Sequence, residues 1–396
     1  MKQSDLYNSC LALHHALEKA HIPYMFTEAA ALALQDVTVT EKFPITIEVQ
    51  WDVFESVYEQ FAPFSPSGIE RSPSKASFQF WKEDTMVKIY CYYNTTVRTN
   101  PYRIQVMHGE TAFSCESIYA YLYFPERKYS HEIHDMLQKQ QQALTAQNER
   151  AWNQNNYEAL IHRYGEPKVI AEKIKQNPKW RLHPFYKYMN DVEGKTIMHL
   201  MGSNGVKAAA LSLLGANVTV ADFSLENEMF AKELAKEASA PFSYIVSDVL
   251  SLLDKVEREQ YDIVLMELGV LHYFIDLQPL VRVVKELLRP GGRFILHEFH
   301  PISTKLITSK GKNHSVVGNY FNPSIECGDV AFSKHVSDKK KESLEKVMQR
   351  RWTLGELITA VAQEGLMIQV LEEEPNHKIH DIGLPKTFTL VSRKPE

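Results

Sequence analysis

The spacing of apolar residues divides this 396-residue chain into three stretches. From 194 onward, short apolar runs alternate with amphipathic segments whose apolar positions fall at helical spacing. The pattern predicts strands over 195–201, 217–222, 242–246, 261–267 and 293–299, with helices over 206–214, 225–238 and 276–288 among them. Pro290, Gly291 and Gly292 turn the chain into the fifth strand. After a polar insertion, 303–350, a helix follows over 353–364, then strands over 366–372 and 386–393. Alternating strand and helix with short connections predicts an α/β fold, a doubly wound, seven-stranded, mostly parallel sheet. The last two strands have no helix between them, which predicts an antiparallel last strand.

Residues 129–193 are polar and rich in Gln and Asn. Trp152, Tyr157, Leu160 and Ile161 fall at helical spacing and predict an ordered helix with a solvated face after the Gln run at 138–142. The run itself reads as helix or as low-complexity coil. Gly165, Glu166 and Pro167 stop the helical pattern. Residues 1–128 mix both periods and predict a separate α+β domain. The expected organisation is therefore an N-terminal domain over 1–128, a helical linker over 129–193 and a third region over 194–396.

Composition narrows the classes. Hydrophobic residues make up 44% of the chain, enough for a sizeable core. The longest apolar runs, 208–216 and 263–271, fall well short of the ~20 residues that span a bilayer, so no membrane partner is expected. The opening MKQSDLYNSC has neither an apolar signal core nor an Arg-rich amphipathic pattern, and a cytoplasmic location is the expectation. Cys10, Cys91, Cys115 and Cys327 are scattered without a CxxC pair or zinc spacing. They read as reduced thiols, and no metal site is expected. The net charge is −5 and the longest basic run is Lys339, Lys340 and Lys341. That argues against a large phosphate-tracking surface for nucleic acid and leaves room for a local patch.

Candidate chemistry collects at the carboxyl ends of the predicted strands. The first strand runs into Met201, Gly202, Ser203, Asn204 and Gly205, then into a helix. Small residues there let backbone approach a ligand, and the helix start offers free N–H groups. Asp222 ends the second strand, where an acid hydrogen-bonds the ribose hydroxyls of an adenosine in doubly wound folds. Phe223 and Ser224 follow it. Asp248 and Val249 follow the third strand, and Glu267, Leu268 and Gly269 end the fourth, at the switch point of the sheet. Each feature alone has a plainer reading: a tight turn, or an Asp capping a helix. Their joint spacing points to a ligand. A dinucleotide fingerprint wants a third small residue where this chain has Lys207, which argues against a nicotinamide cofactor.

Taken together, KTIMHLMGSNGVKAAALSLLGANVTVADFS, SDV, YDIVLMELGVLHYF, LLRPGGRFILHEFHP and LPKTFTLVSRKP resemble the class I, Rossmann-like S-adenosylmethionine-dependent methyltransferases. The resemblance extends over residues 146–396. It implies S-adenosyl-L-methionine as cofactor, its methionine part against Met201–Gly205, its ribose on Asp222 and its adenine near Phe223, Asp248 and Val249. The family's first loop reads acidic residue, apolar residue, then Gly-x-Gly-x-Gly; here it reads His199, Leu200, Met201, Gly202, Ser203, Asn204, Gly205. Methyl transfer is an in-line displacement, aided by a general base where the acceptor carries a proton. His272, Glu298 and His300 are the candidates for that work, with a structural role the alternative for His272. In similar enzymes an N-terminal helix covers the pocket, which makes Trp152, Asn153 and Tyr157 candidate lid or substrate residues, with core packing the alternative for both aromatics. His314, Tyr320 and Phe321 in the insertion are further substrate-wall candidates.

The first 125 residues faintly resemble the nucleotidyltransferase fold, which uses a small-residue turn and three carboxylates for two metals. Here the turn reads Glu28, Ala29, Ala30, the paired acids read Thr46, Ile47, Glu48, and the third position, near Lys88, is basic. A non-catalytic module is the expectation. Three functions stay open: a methyltransferase for a small-molecule acceptor, a cofactor-binding protein acting through a partner, and a nucleotide- or nucleic-acid-modifying methyltransferase. A homodimer is compatible with each.

Overall fold

Helix α1, Gln3–Lys19, carries Leu6, Cys10, Leu13 and Leu17 on one stripe, and all four enter one buried cluster. In this computed structural model, which describes residues 3–122, 128–310, 313–336, 341–375 and 383–396, the chain divides into two compact units, Met1–Leu137 and Gln138–Glu396. The division falls later than the expected 128, inside helix α5, Ser130–Trp152. Of the basic run 339–341, only Lys341 lies among the described residues.

The first unit is built on a mixed sheet. Its strands are β1 (Tyr24–Thr27), β2 (Ile45–Val49), β3 (Glu70–Arg71), β4 (Lys75–Lys82), β5 (Thr85–Tyr92), β6 (Arg103–His108) and β7 (Thr111–Glu116), ordered β3-β4-β5-β2-β1-β7-β6. Strand β2 pairs antiparallel with β1 and parallel with β5. Short helices α2 (Glu28–Leu34), α3 (Phe54–Gln60) and α4 (Tyr119–Leu122) complete it.

In the second unit α5 is followed by α6 (Asn156–Tyr164) and α7 (Pro167–Gln176). The Gln run is helical and lies within α5. Its apparently solvated face is partly buried: Gln141 donates to Tyr273 O at 2.9 Å and accepts from Ile275 N at 2.8 Å, and Asn148 accepts from Met348 N at 2.8 Å. Amide side chains can satisfy a backbone donor and an acceptor together, so they stand where an apolar residue would leave both unpaired.

The sheet of this unit contains β8 (Thr196–Leu200), β9 (Asn217–Asp222), β10 (Ser243–Val246), β11 (Tyr261–Glu267), β12 (Leu288–Phe299), β17 (Met367–Pro375) and β18 (Pro385–Arg393). Helices α8 (Val206–Leu213), α9 (Leu225–Ala238), α10 (Leu277–Leu287) and α11 (Leu354–Gln363) connect them. The order is β10-β9-β8-β11-β12-β18-β17, parallel except at β18, which runs antiparallel to both neighbours. The last strand thus inserts between the fifth and sixth. Strand β12 starts at Leu288, ahead of the Pro-Gly-Gly segment, which forms an irregularity against β11. The insertion forms two small hairpins, β13 (Ile307–Lys310) with β14 (Asn313–Val316), and β15 (Ile325–Gly328) with β16 (Val347–Arg350).

Candidate active site

Strand β8 brings His199 and Leu200 to the carboxyl edge, and the chain turns through Met201–Gly205 into α8. Met201, Ser203 and Gly205 have φ of 51°, 49° and 71°. These are the positions of the three glycines in the family pattern, so the loop keeps the glycine backbone path with two side chains added. Each non-glycine residue there costs about 1–2 kcal/mol, which the surrounding packing offsets. Gly202 is required for space: a Cβ would stand 2.7 Å from His199 Nδ1 and 2.9 Å from Val220 Cγ1.

Asp222 ends β9 and is 7% exposed. Its Oδ1 accepts from Ser224 N at 2.9 Å and Asn227 Nδ2 at 3.3 Å, and its Oδ2 accepts from Ser203 N at 3.1 Å. Burial pushes its carboxyl upward against these donors. A carboxylate offers about four acceptor sites, so Oδ2 keeps capacity for a hydroxyl. Ser224, not Asp222, caps α9, accepting from Asn227 N at 3.2 Å. Asp248 does act as a cap, accepting from Leu250 N at 3.1 Å, and burial raises its carboxyl too. Val249 is buried and Phe223 half-buried beside these tips.

At the switch point, between β8 and β11, Glu267 pairs with Lys207 Nζ at 2.7 Å. His199 Nε2 lies 3.8 Å from the same oxygen, and both ring nitrogens are buried with no hydrogen-bond partner. Burial lowers His199 to about 4, so the ring is neutral at pH 7. Leu268 and Gly269 follow with left-handed φ of 38° and 81°.

Of the three candidates for proton transfer, His272 and Glu298 line one cavity and His300 lies outside its lining. Glu298 is buried and its carboxylate accepts from Gly269 N (2.6 Å), Phe299 N (2.7 Å), Val270 N (2.9 Å) and Leu271 N (3.3 Å). Four donors occupy its lone pairs and tie it to the 268–271 loop. His300 Nε2 is bonded to Glu373 Oε1 at 2.6 Å and Nδ1 accepts from Ile302 N at 3.2 Å. His272 keeps a buried, unpartnered Nε2 and lines a cavity of ≈ 80 Å³ with Phe299, Arg351, Trp352 and Phe388. Burial first, then the Arg351 charge, lowers it to about 4.

The helical segment before β8 is tied to the β9 tip. Trp152 Nε1 donates to Tyr273 OH at 3.0 Å, and Asn153 Oδ1 accepts from Ser224 Oγ at 3.0 Å. Tyr157 packs on Phe230 and donates its hydroxyl to Glu233 at 2.8 Å, the contacts of the packing alternative, α6 against α9. His314 bonds Ser309 on the β13–β14 hairpin, Tyr320 OH accepts from Leu354 N, and Phe321 is exposed. Sequence reading missed Asn227, Asn156 and Tyr244. Asn156 donates to Asn227 Oδ1 at 2.8 Å and Tyr244 donates to Ser203 O at 2.8 Å. Nothing local marks Asn156 and Tyr244, because each acts on a residue tens of positions away.

A family profile described as a methyltransferase domain matches residues 201–296. A ubiquinone biosynthesis O-methyltransferase of Rickettsia prowazekii (strain Madrid E) is 26% identical over 148 residues, 37% of this chain and 52% of that protein. A protein of the same name from Methylobacterium sp. (strain 4-46) is 33% identical over 101 residues, 26% of this chain and 39% of its own. The chain spans about half the length, or less, of these curated relatives. A solved S-adenosylmethionine-dependent methyltransferase from Mesorhizobium loti aligns with a TM-score of 0.43 at 20% identity, covering 56% of this chain and 100% of that one. The profile match identifies residues 201–296 as a methyltransferase domain, and they lie within the doubly wound sheet of the carboxy-terminal unit.

Proposed function

We propose that the chain transfers a methyl group from S-adenosylmethionine to a small-molecule acceptor. The observation that carries this reading is Asp222, clasped by the amides of Ser203 and Ser224 with acceptor capacity left on Oδ2. When bound, the cofactor supplies a methyl group on a sulfonium whose neutral thioether leaves readily. The residues present fit it. Asp222 would take the ribose hydroxyls, and Phe223, Asp248 and Val249 would hold the adenine. Met201–Gly205, the Lys207–Glu267 pair, Leu268 and Gly269 would hold the amino-acid end, Lys207 suited to its carboxylate and Glu267 to its ammonium.

His272 is the residue for the acceptor's proton, being neutral at pH 7 with a free Nε2 at the cavity. A hydroxyl acceptor needs such a group, and the curated relatives' names specify O-methyl transfer. The ≈ 80 Å³ space suits the reacting end of a small acceptor. Among the described residues no helix is long and apolar enough to cross a membrane.

Calorimetry of the full chain with S-adenosylmethionine tests the shared premise. Removing hydrogen bonds to a charged carboxylate in Asp222→Ala weakens binding by roughly 100-fold. No binding by the wild type, or unchanged binding in the variant, overturns it. Methyl-labelled cofactor incubated with metabolite extract should label small molecules; label confined to RNA would overturn the acceptor class.

A further inference from the structure

The ≈ 80 Å³ space beside His272 is well below the ~300 Å³ of an ordinary small-ligand pocket, so much of an acceptor must lie outside it. A second cavity of ≈ 240 Å³ adjoins it, and Thr304 and Arg351 line both. The first chamber is walled by apolar residues such as Leu271, Phe299, Trp352 and Phe388. The second is polar, with Lys305, Asn319, Asn322 and Glu326 on its lining. Lys305 stands in a π-helical turn, Ile302–Leu306, just beyond the carboxyl end of β12. Such turns are rare and recur at functional sites. Lys305 is 8% exposed, and its Nζ donates to Asn322 O and Arg351 O, both at 2.7 Å. An ammonium has three donors. Among the described residues the third meets no acceptor, and no carboxylate lies within ion-pair distance of it. Burial lowers Lys305 to about 8, so it is protonated at pH 7. A buried charge is costly without an opposite one, and this charge borders open space.

We propose that the methyl acceptor carries a carboxylate, which the polar chamber holds on Lys305 Nζ while the reacting end lies beside His272. This rests on the methyl-transfer reading above and names the class of its acceptor. The open donor of Lys305 suits one carboxylate oxygen, in a charge-assisted hydrogen bond. Asn319 and Asn322 spend their amide oxygens on Phe321 N and Ser324 N, at 3.0 and 3.1 Å, which leaves their NH2 groups for the second oxygen. The charge on the lining agrees: Lys305 and Arg351 are its cations and Glu326 its carboxylate, so one positive charge is left over. Glu326 is engaged with Arg351 at 3.3 Å, and the Arg351 guanidinium is bonded to Thr304 O. Those ties fix the wall between the chambers and leave Lys305 to meet the anion. A phosphate monoester carries nearly two negative charges at pH 7, more than the lining can balance.

The test splits a metabolite extract by anion exchange at pH 7, then incubates each fraction with the full chain and methyl-labelled S-adenosylmethionine. Label should enter the retained, anionic fraction, and equally after that fraction is treated with phosphatase. Label entering only the unretained fraction, or abolished by phosphatase, overturns the proposal and leaves methyl transfer standing. No label in either fraction overturns both. With the anionic fraction as acceptor, Lys305→Met should cut the labelling rate roughly 10- to 100-fold at low dilution of acceptor into the assay, where acceptor is scarce. The deficit should close at high acceptor, because KM rises while kcat holds. Lys305→Met also strips two carbonyls of their donor, so Asn319→Asp is the decisive variant. At an exposed position on the lining it keeps the acceptor for Phe321 N and adds a negative charge. It should cut the rate with scarce acceptor roughly 10-fold, with an unchanged urea midpoint. A rate equal to wild type in Asn319→Asp overturns the proposal, whatever Lys305→Met does.

Discussion

Replacing Glu298 by Gln separates the two tasks that its position at the tip of β12 allows. The carboxylate accepts from Gly269 N and Phe299 N through Oε1 and from Val270 N and Leu271 N through Oε2. In either orientation of the new amide, one former oxygen becomes an NH2 group facing two backbone donors. Each buried N–H left unsatisfied costs ~1–3 kcal/mol. The two lost partners sum to about 2–6 kcal/mol, and relief of a buried charge returns part of it, leaving a destabilisation of about 1–4 kcal/mol. Urea unfolding followed by circular dichroism measures the loss, and hydrogen exchange at residues 269, 270, 271 and 299 locates it. The carboxylate holds that loop, so all four amides should exchange faster. Stability within about 0.5 kcal/mol of wild type, unchanged exchange and a large fall in kcat would refute this and make Glu298 a proton carrier.

Gly202→Ala should destabilise by about 1–3 kcal/mol and weaken cofactor binding, because its Cβ meets His199 and Val220 at 2.7 and 2.9 Å. Gly355→Ala in α11 meets nothing within 4 Å and should instead stabilise by about 0.5–1 kcal/mol; urea midpoints of the pair check both. His297 is 4% exposed and burial lowers it to about 4, below the ordinary 6.5. The unfolded chain therefore binds the extra proton, and the stability contribution is complete above pH 6.5 and lost as pH falls toward 4. His297→Asn should make the stability–pH curve between those values shallower by up to about 1.4 kcal/mol per pH unit; an unchanged slope would show that the ring is not held neutral. Trp152→Phe should cost ~1 kcal/mol through the lost bond to Tyr273 OH, seen as a lower urea midpoint.

The alternation of apolar runs was enough to read every strand of the carboxy-terminal sheet, because burial on both faces writes itself into consecutive residues such as Ile263, Val264, Leu265 and Met266. Asp222, Asp248 and the Met201–Gly205 loop were legible for a related reason: strand ends in a doubly wound fold point to one edge. The sequence also announced a departure at Met201 and Ser203 that the backbone does not make, since left-handed φ belongs to the turn and the packing around it forces those residues to comply. Partnership was beyond reach. Neither Glu298, between His297 and Phe299, nor His272, between Leu271 and Tyr273, is marked locally, yet one carboxylate closes on amides 27–29 positions away and one imidazole keeps an unpartnered Nε2. The placement of β18 between β12 and β17 and the buried amides of Gln141 and Asn148 are of the same kind. Periodicity states which positions leave water; which donor meets which acceptor depends on strand ends that only the folded sheet brings together.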